Sequence, residues 1–234
     1  IVSTLAENLW MPHNPKIING AFYVLDSLRG DLKGNNFNVI GSFPAFTRGL
    51  AHDRRWMVVD DSGQFMTQRT SPKIALINTK ISAQTLNLNA PGMSELSLPL
   101  FPTAGEAQEV EIWGDRCEAW TANSQSGLWI SEYLRKSCKI VFMPDHCNRE
   151  VDAKYTDTGS KISFSDGFPF MLISEASLID LNTRLFKKVT MERFRPNLVV
   201  KNTKAYEEDN WNLIRIGKCK LKVVKSITPP WWPT

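Results

Sequence analysis

The sequence predicts a mainly β protein with a few helices, of the α+β class: a small β-barrel followed by a second barrel with a packed helix. Three observations carry this. Short β-prone segments separated by turn residues run from Phe22 to Trp113 with no long helix among them. Apolar residues recur at helical spacing between Ser124 and Lys136, where the architecture changes. A second helix, from Ser174 to Phe186, is followed by three further strand-like runs.

Composition leaves this reading room. At 234 residues the chain is long enough to bury a core without disulfides, and 42% hydrophobic against 22% charged residues excludes wholly disordered and low-complexity classes. The net charge of +4 suits an anionic small ligand and does not demand nucleic acid, since no basic stripe interleaves with the eight tryptophans. No run of about eighteen apolar residues marks a spanning helix. Cys117, Cys138, Cys147 and Cys219 form no CxxC pair and join no histidine at zinc-finger spacing, so they read as free thiols of a reducing compartment.

In chain order, residues 1–20 are polar, carry Pro12 and Pro15, and read as an arm; their first ten residues lack the features of a secretory signal. Trp56–Val59, the Asp60–Gly63 turn and Gln64–Thr67 predict a hairpin. Lys73–Asn78 with Thr85–Leu88 predict a second pair, and Leu96–Leu98 with Val110–Trp113 a third. A domain boundary is expected near Asp115, where β segments give way to a helix bearing Leu128, Trp129, Tyr133 and Leu134, followed by a strand over Lys139–Met143. For the helix from Ser174, the serine is the expected N-cap, Glu175 and Asp180 sit toward the positive end, and Lys187 and Lys188 close the negative end. Leu198–Val200, Leu213–Ile216 and Leu221–Val224 read as strands.

Three polar clusters stand at the edges of apolar segments, where a barrel presents side chains at its mouth. In His52-Asp53-Arg54-Arg55-Trp56, one of two adjacent guanidiniums can reach an internal anion, although a simple Asp53–arginine pair explains the same residues. Ser165-Asp166-Gly167-Phe168-Pro169-Phe170 leads into the helix at Ser174, whose N-terminus offers an anion site; the alternative is an ordinary turn. In Glu192-Arg193-Phe194-Arg195-Pro196-Asn197, two arginines in register precede an amide at the entry to a buried strand, with a solvated charge run as the alternative.

Together, YVLDSLRG (residues 23–30), DRRW (53–56), FSDGFPFMLISEASLIDLNTRL (164–185), RFRPNLVV (193–200) and EEDNWNLIRIG (207–217) resemble the MOSC family. The resemblance is to the branch with an N-terminal MOSC β-barrel, which contains the amidoxime-reducing components and their bacterial relatives. It divides the chain into an arm (1–20), an N-terminal MOSC-type barrel (21–115), an incomplete MOSC domain (116–225) and a divergent tail (226–234). What it implies is a molybdenum cofactor of the molybdopterin type and two-electron reduction of small N-hydroxylated compounds, with electrons from a redox protein or domain. Arg54 would bind the anionic pterin end, and Arg195 and Asn197 would fix the pterin. Ser165 and Asp166 would line the loop beside the metal, as cofactor-binding and catalytic residues. The compartment implied is the cytoplasm, or the mitochondrion if the source is eukaryotic.

Two departures accompany the resemblance. Asp26 stands where the family has a lysine near the phosphate end, and Val223–Thr234 replaces the segment whose cysteine ligates molybdenum. The expectation is a truncated member with impaired activity and no protein-supplied metal ligand; the alternative is a non-catalytic protein binding a pterin or pyridoxal phosphate.

Overall fold

Two α-helices and thirteen strands, most of them short, make up the regular structure of the described residues, so the mainly β expectation holds. The structure is a computed structural model describing residues 45–46, 48–82, 84–156, 159–216 and 219–226. The expected arm, the Tyr23–Gly30 segment with Asp26, and residues 227–234 lie outside these.

Chain order begins with a two-stranded hairpin, β1 (Ala45–Phe46) and β2 (Gly49–Leu50). Gly49 has φ 117°, and a Cβ there would come within 2.9 Å of the Pro169 carbonyl oxygen, so only glycine allows this hairpin to approach the Ser165–Phe170 segment. β3 (Trp56–Asp60) then turns at Asp60, whose carboxylate accepts from the Ser62 and Gln64 amides, and Phe65 returns opposite Val59, as the first predicted hairpin requires.

The second and third predicted pairs are rearranged. Pro72–Leu76 is a 3-10 helix rather than a strand, because Pro72 at its start supplies a helical φ and needs no hydrogen-bond acceptor. The strand that follows, β4 (Asn78–Ile81), pairs with β5 (Thr85–Asn89), and β5 pairs in turn with β6 (Leu96–Pro99). β7 (Glu106–Ile112) pairs instead with β8 (Asp115–Thr121) across Trp113 (φ 55°) and Gly114 (φ 89°). Two central residues at positive φ match the twist of the strands they join. Asp115, the expected domain boundary, therefore opens β8 within this hairpin.

α1 (Ser124–Leu134) begins at Asn123, whose side chain accepts from the Ser126 amide while Ser126 reaches back to the Asn123 amide, a reciprocal capping box. Its buried face is Ser126, Trp129, Ile130 and Tyr133, whereas Leu128 faces solvent. Arg135 in the left-handed conformation ends it and sends the chain into β9 (Cys138–Phe142). The four-stranded antiparallel sheet has the order β3-β9-β8-β7.

Alternation along β9 feeds two cores. Cys138 and Ile140 join Leu86, Leu98, Trp129 and Ile130 between α1 and the β4-β5-β6 sheet. Val141 and Met143 join Val59, Val110, Ile112, Ala119, Cys147 and Phe164 on the other face. The sheets stay open among the described residues, with no closed barrel.

The remainder is built on β10 (Leu172–Ser174), parallel to β11 (Leu198–Val200), with α2 (Glu175–Arg184) crossing between them. Ser174 caps α2 as expected, accepting from the Ser177 amide. The helix stops at Arg184, two residues before Phe186, which is fully exposed. β12 (Leu213–Ile216) and β13 (Cys219–Lys222) close the described chain as a hairpin.

Candidate functional site

The turn between β2 and β3 places Asp53 and Arg54 at the centre of a polar cluster. Arg54 is held at φ 51° by a sequence that would ordinarily avoid the left-handed region, and so is Arg195, at φ 52°. Strained backbone of this kind concentrates at binding and catalytic positions.

The contacts are specific. Arg54 Nη1 donates to Asp53 Oδ2 and, at 3.3 Å, to Asn197 Oδ1, while its Nη2 donates to the Arg195 carbonyl at 3.3 Å. Asn197 Nδ2 donates to Asp53 Oδ2 at 2.7 Å, and Asn197 Oδ1 accepts from the Met171 amide at 3.0 Å. The Met171 carbonyl in turn accepts from the Asn197 and Leu198 amides. Asn197 thus continues the β10–β11 ladder with its side chain and fixes the site to that ladder.

The third part arrives through backbone. The Phe164 amide donates to the Arg54 carbonyl at 2.9 Å, and the Phe164 ring anchors in the core on that face of the sheet. Ser165 and Asp166 follow directly, with Ser165 buried and Asp166 exposed. Arg54, Asn197, Arg195 and the Ser165–Asp166 loop are therefore brought together, although Arg54 lies more than a hundred residues before the others in sequence. Gly167 has no protein atom crowding it; the close approach in this region is made at Gly49.

Electrostatics favour an anion. Arg54 pairs with the Asp53 carboxylate, which is 3% exposed, and the Arg195 charge is near enough to act on both. Burial pushes the Asp53 carboxyl above the ordinary range, against the opposing pull of Arg54 and of the Asn197 hydrogen bond. Burial, and then the neighbouring Arg54 charge, lowers the Arg195 pKa from its usual value. A negative ligand would favour the charged form of Arg195 and disfavour ionisation of Asp53. Among the described residues, Asp53 Oδ1 and the Ser165 hydroxyl oxygen are buried without a hydrogen-bond partner, so these two residues hold polar capacity they do not use. One Asn197 Nδ2 hydrogen is likewise unused among the described residues.

Two features correct or extend the sequence reading. The α2 N-terminus, expected as an anion site, is filled from within: Glu208 Oε1 accepts from the Ser174 amide at 2.9 Å and from the Ser177 hydroxyl at 2.6 Å. The protein supplies its own anion at the positive end of the helix. Sequence reasoning also passed over Arg149, whose guanidinium is buried and donates to the carbonyls of Ser163 (2.8 Å), Ser165 (2.5 Å) and Asp166 (3.0 Å) and to the Asp115 carboxylate (2.9 Å). Its partners are mostly main-chain atoms, which no motif encodes.

Among the described residues no group of three or more His, Cys, Asp or Glu side chains could hold a metal ion. No described helix is long and apolar enough to cross a membrane. The donor set of guanidiniums, an amide hydrogen and a buried hydroxyl suits the anionic part of an organic ligand.

Comparison with known proteins places the chain in a family. The family described as MOSC N-terminal beta barrel domain matches residues 40–137, and the family described as MOSC domain matches residues 159–234. The chain is 33% identical over 186 residues to mitochondrial amidoxime-reducing component 1 of Mus musculus, covering 77% of this chain and 54% of that protein. It is 35% identical over 185 residues to mitochondrial amidoxime reducing component 2 of Rattus norvegicus, covering 76% and 55%. Molybdenum cofactor sulfurase of Oryza sativa subsp. japonica is 32% identical over 198 residues, covering 76% of this chain and 24% of that protein. The chain spans about half the length of the amidoxime-reducing components it matches. With matches to both domain types along most of its length, the chain belongs to the MOSC family, in the branch that joins an N-terminal MOSC β-barrel domain to a MOSC domain.

Proposed function

We propose that this chain binds the molybdenum cofactor of its family and belongs to a reductase of small N-hydroxylated compounds. The observation that supports the reading is one buried polar cluster in which Arg54 is held by Asp53, Asn197 and the Arg195 carbonyl while its own carbonyl accepts from the Phe164 amide beside the Ser165–Asp166 loop.

Arg54 and Arg195 would hold the phosphorylated end of the pterin by charge-assisted hydrogen bonds, with Arg54 oriented by Asp53 and Asn197. Asn197 is 6% exposed and bonded on three sides, so its main task is to position Arg54 and Met171, with one amide hydrogen left for the ligand. The buried Ser165 hydroxyl, which lacks a protein partner, would turn to the cofactor, and exposed Asp166 would stand on the solvent side of that loop, where substrate enters. When bound, the cofactor supplies two-electron reduction of an N–O bond, in which two electrons and two protons convert the N-hydroxyl group to N–H and water. Electrons would come from a redox protein or domain, in the cytoplasm or, in a eukaryote, at the mitochondrion.

Catalysis by this sequence alone would be impaired. Val223–Ser226 carries no cysteine, and the cysteines whose side chains are described, Cys117, Cys138 and Cys147, pack in the two cores of the four-stranded sheet rather than among the site residues. The test is to express the full chain in a host that makes molybdopterin and to measure pterin by fluorescence and molybdenum by mass spectrometry. The expected result is bound pterin with molybdenum below one equivalent, and loss of pterin in Arg195→Ala. Protein purified free of pterin from a host whose other molybdenum enzymes are loaded would overturn the reading.

A further inference from the structure

The loop after β9 lies along β8 and is fastened to it on both sides of one residue. Arg149 pairs with Asp115 at 2.8 Å, and His146 Nε2 meets Glu118 Oε1 at 2.8 Å, with the His146 ring against Trp120 at 5.7 Å between centroids. Between these fasteners, Cys147 on the loop faces Cys117 on β8. Val110, the β7 partner of Cys117, lies in the same buried cluster as Cys147, so the two cysteines share one core. Both cysteines pack with Val59, Val110, Val141 and Met143, Cys147 buried and Cys117 half-buried.

We propose that Cys117 and Cys147 form an oxidisable dithiol, which hydrogen peroxide converts to an intramolecular disulfide. Two cysteines read from spacing alone as independent free thiols are thereby one chemical site, separate from the cofactor cluster and independent of its proposed function.

The polarity of the pair assigns the roles. Arg48 reaches the loop, donating to the carbonyls of Asp145 and Cys147. The hydrogen bond from Cys117 and the Arg48 charge hold the Cys147 thiol well below the ordinary cysteine range, while donation to Cys147 and burial hold Cys117 above it. Arg149 and Asp115 face Cys117, and Glu118 faces Cys147 with an opposing charge. The Arg48 guanidinium on the Cys147 carbonyl favours a thiolate there, which makes Cys147 the nucleophile and Cys117 the resolving thiol. Cys147 sulfur attacks one peroxide oxygen, the O–O bond breaks, and hydroxide leaves to take a proton, giving a sulfenic acid and water. Cys117 sulfur then attacks the sulfenic sulfur, the S–S bond forms, the S–O bond breaks, and the departing hydroxide takes the Cys117 proton as water. Two thiols are oxidised by two electrons and one peroxide is reduced to two waters. The bond would tie β8 to the loop carrying Arg149, and so to the carbonyls of Ser163, Ser165 and Asp166.

Peptide mapping tests this. The full chain, reduced and freed of reductant, is treated with hydrogen peroxide, denatured, alkylated and digested without reduction. The expected product is one linked peptide pair joining Cys117 to Cys147, lighter by two hydrogens than its reduced halves and restored by dithiothreitol, while Cys138 stays alkylated. In Cys117→Ser the link disappears and dimedone traps a sulfenic acid on Cys147. The proposal is overturned if both cysteines remain alkylated after peroxide has oxidised exposed methionines, if Cys147 is over-oxidised in the unaltered chain with Cys117 still free, or if the link joins either one to Cys138 or Cys219.

Discussion

Asp53 shows how one residue sets the character of the candidate site. Its carboxyl is nearly sealed from solvent, and burial outweighs the attraction of Arg54, so its folded-state pKa lies above the ordinary value of about 3.9. The folded protein then holds a proton that the unfolded chain has released. Stability contributed by Asp53 is fully present below about pH 4 and is lost as pH rises through the raised folded value, after which it stays constant. Asp53→Asn cannot release that proton, so its urea midpoint should decline less than that of the unaltered protein over this interval. Parallel pH profiles for the two proteins would show that Arg54 and Asn197 compensate the charge in full. Asp53, Arg54, Arg195 and Asn197 were legible in the sequence as polar residues at the margins of apolar runs. Which of them is sealed was not, because burial follows from how distant segments meet.

At the scale of elements, the Ser163–Asp166 loop has no strand partner for its carbonyls, and Arg149 takes that place. A planar guanidinium suits the task, since its fork of donors can serve three acceptors while a second edge meets Asp115. Arg149→Ala leaves the Ser163 and Ser165 carbonyls without a donor inside the protein and should cost about 3 kcal/mol of unfolding free energy. Arg149→Lys, with one compact charge, should recover only part of this. Chemical denaturation measures both, and an alanine variant within about 0.5 kcal/mol of the original would mean that water or a rearranged loop satisfies those carbonyls. The helices and β9 were readable from their periodicity and caps, because those signals are local. Strand partners were not: Trp113 at a positive φ gives little warning of a tight turn, and Pro72 converts a β-rich run into a 3-10 helix.

The candidate site draws on the turn before β3, the loop after residue 162 and the entry to β11, segments that part when the molecule unfolds. A ligand holding all three must therefore stabilise the whole fold rather than one element, by an amount fixed by its concentration relative to its dissociation constant. Inorganic phosphate is the simplest probe of anion binding at Arg54 and Arg195. At about a hundredfold excess over the dissociation constant the gain is about 2.7 kcal/mol, which for a chain of this size corresponds to a rise of about 5–10 °C in Tm. Chloride at the same ionic strength screens surface charges equally but lacks the oxygens that accept from guanidiniums, so it should give a much smaller shift. Arg195→Ala removes a charge that faces the site and should abolish most of the phosphate effect, whereas Lys187→Ala, beyond the end of α2, should leave it intact. Equal shifts from phosphate and chloride, or an undiminished phosphate shift in Arg195→Ala, would place the anion elsewhere on the molecule and detach the positive cluster from ligand binding.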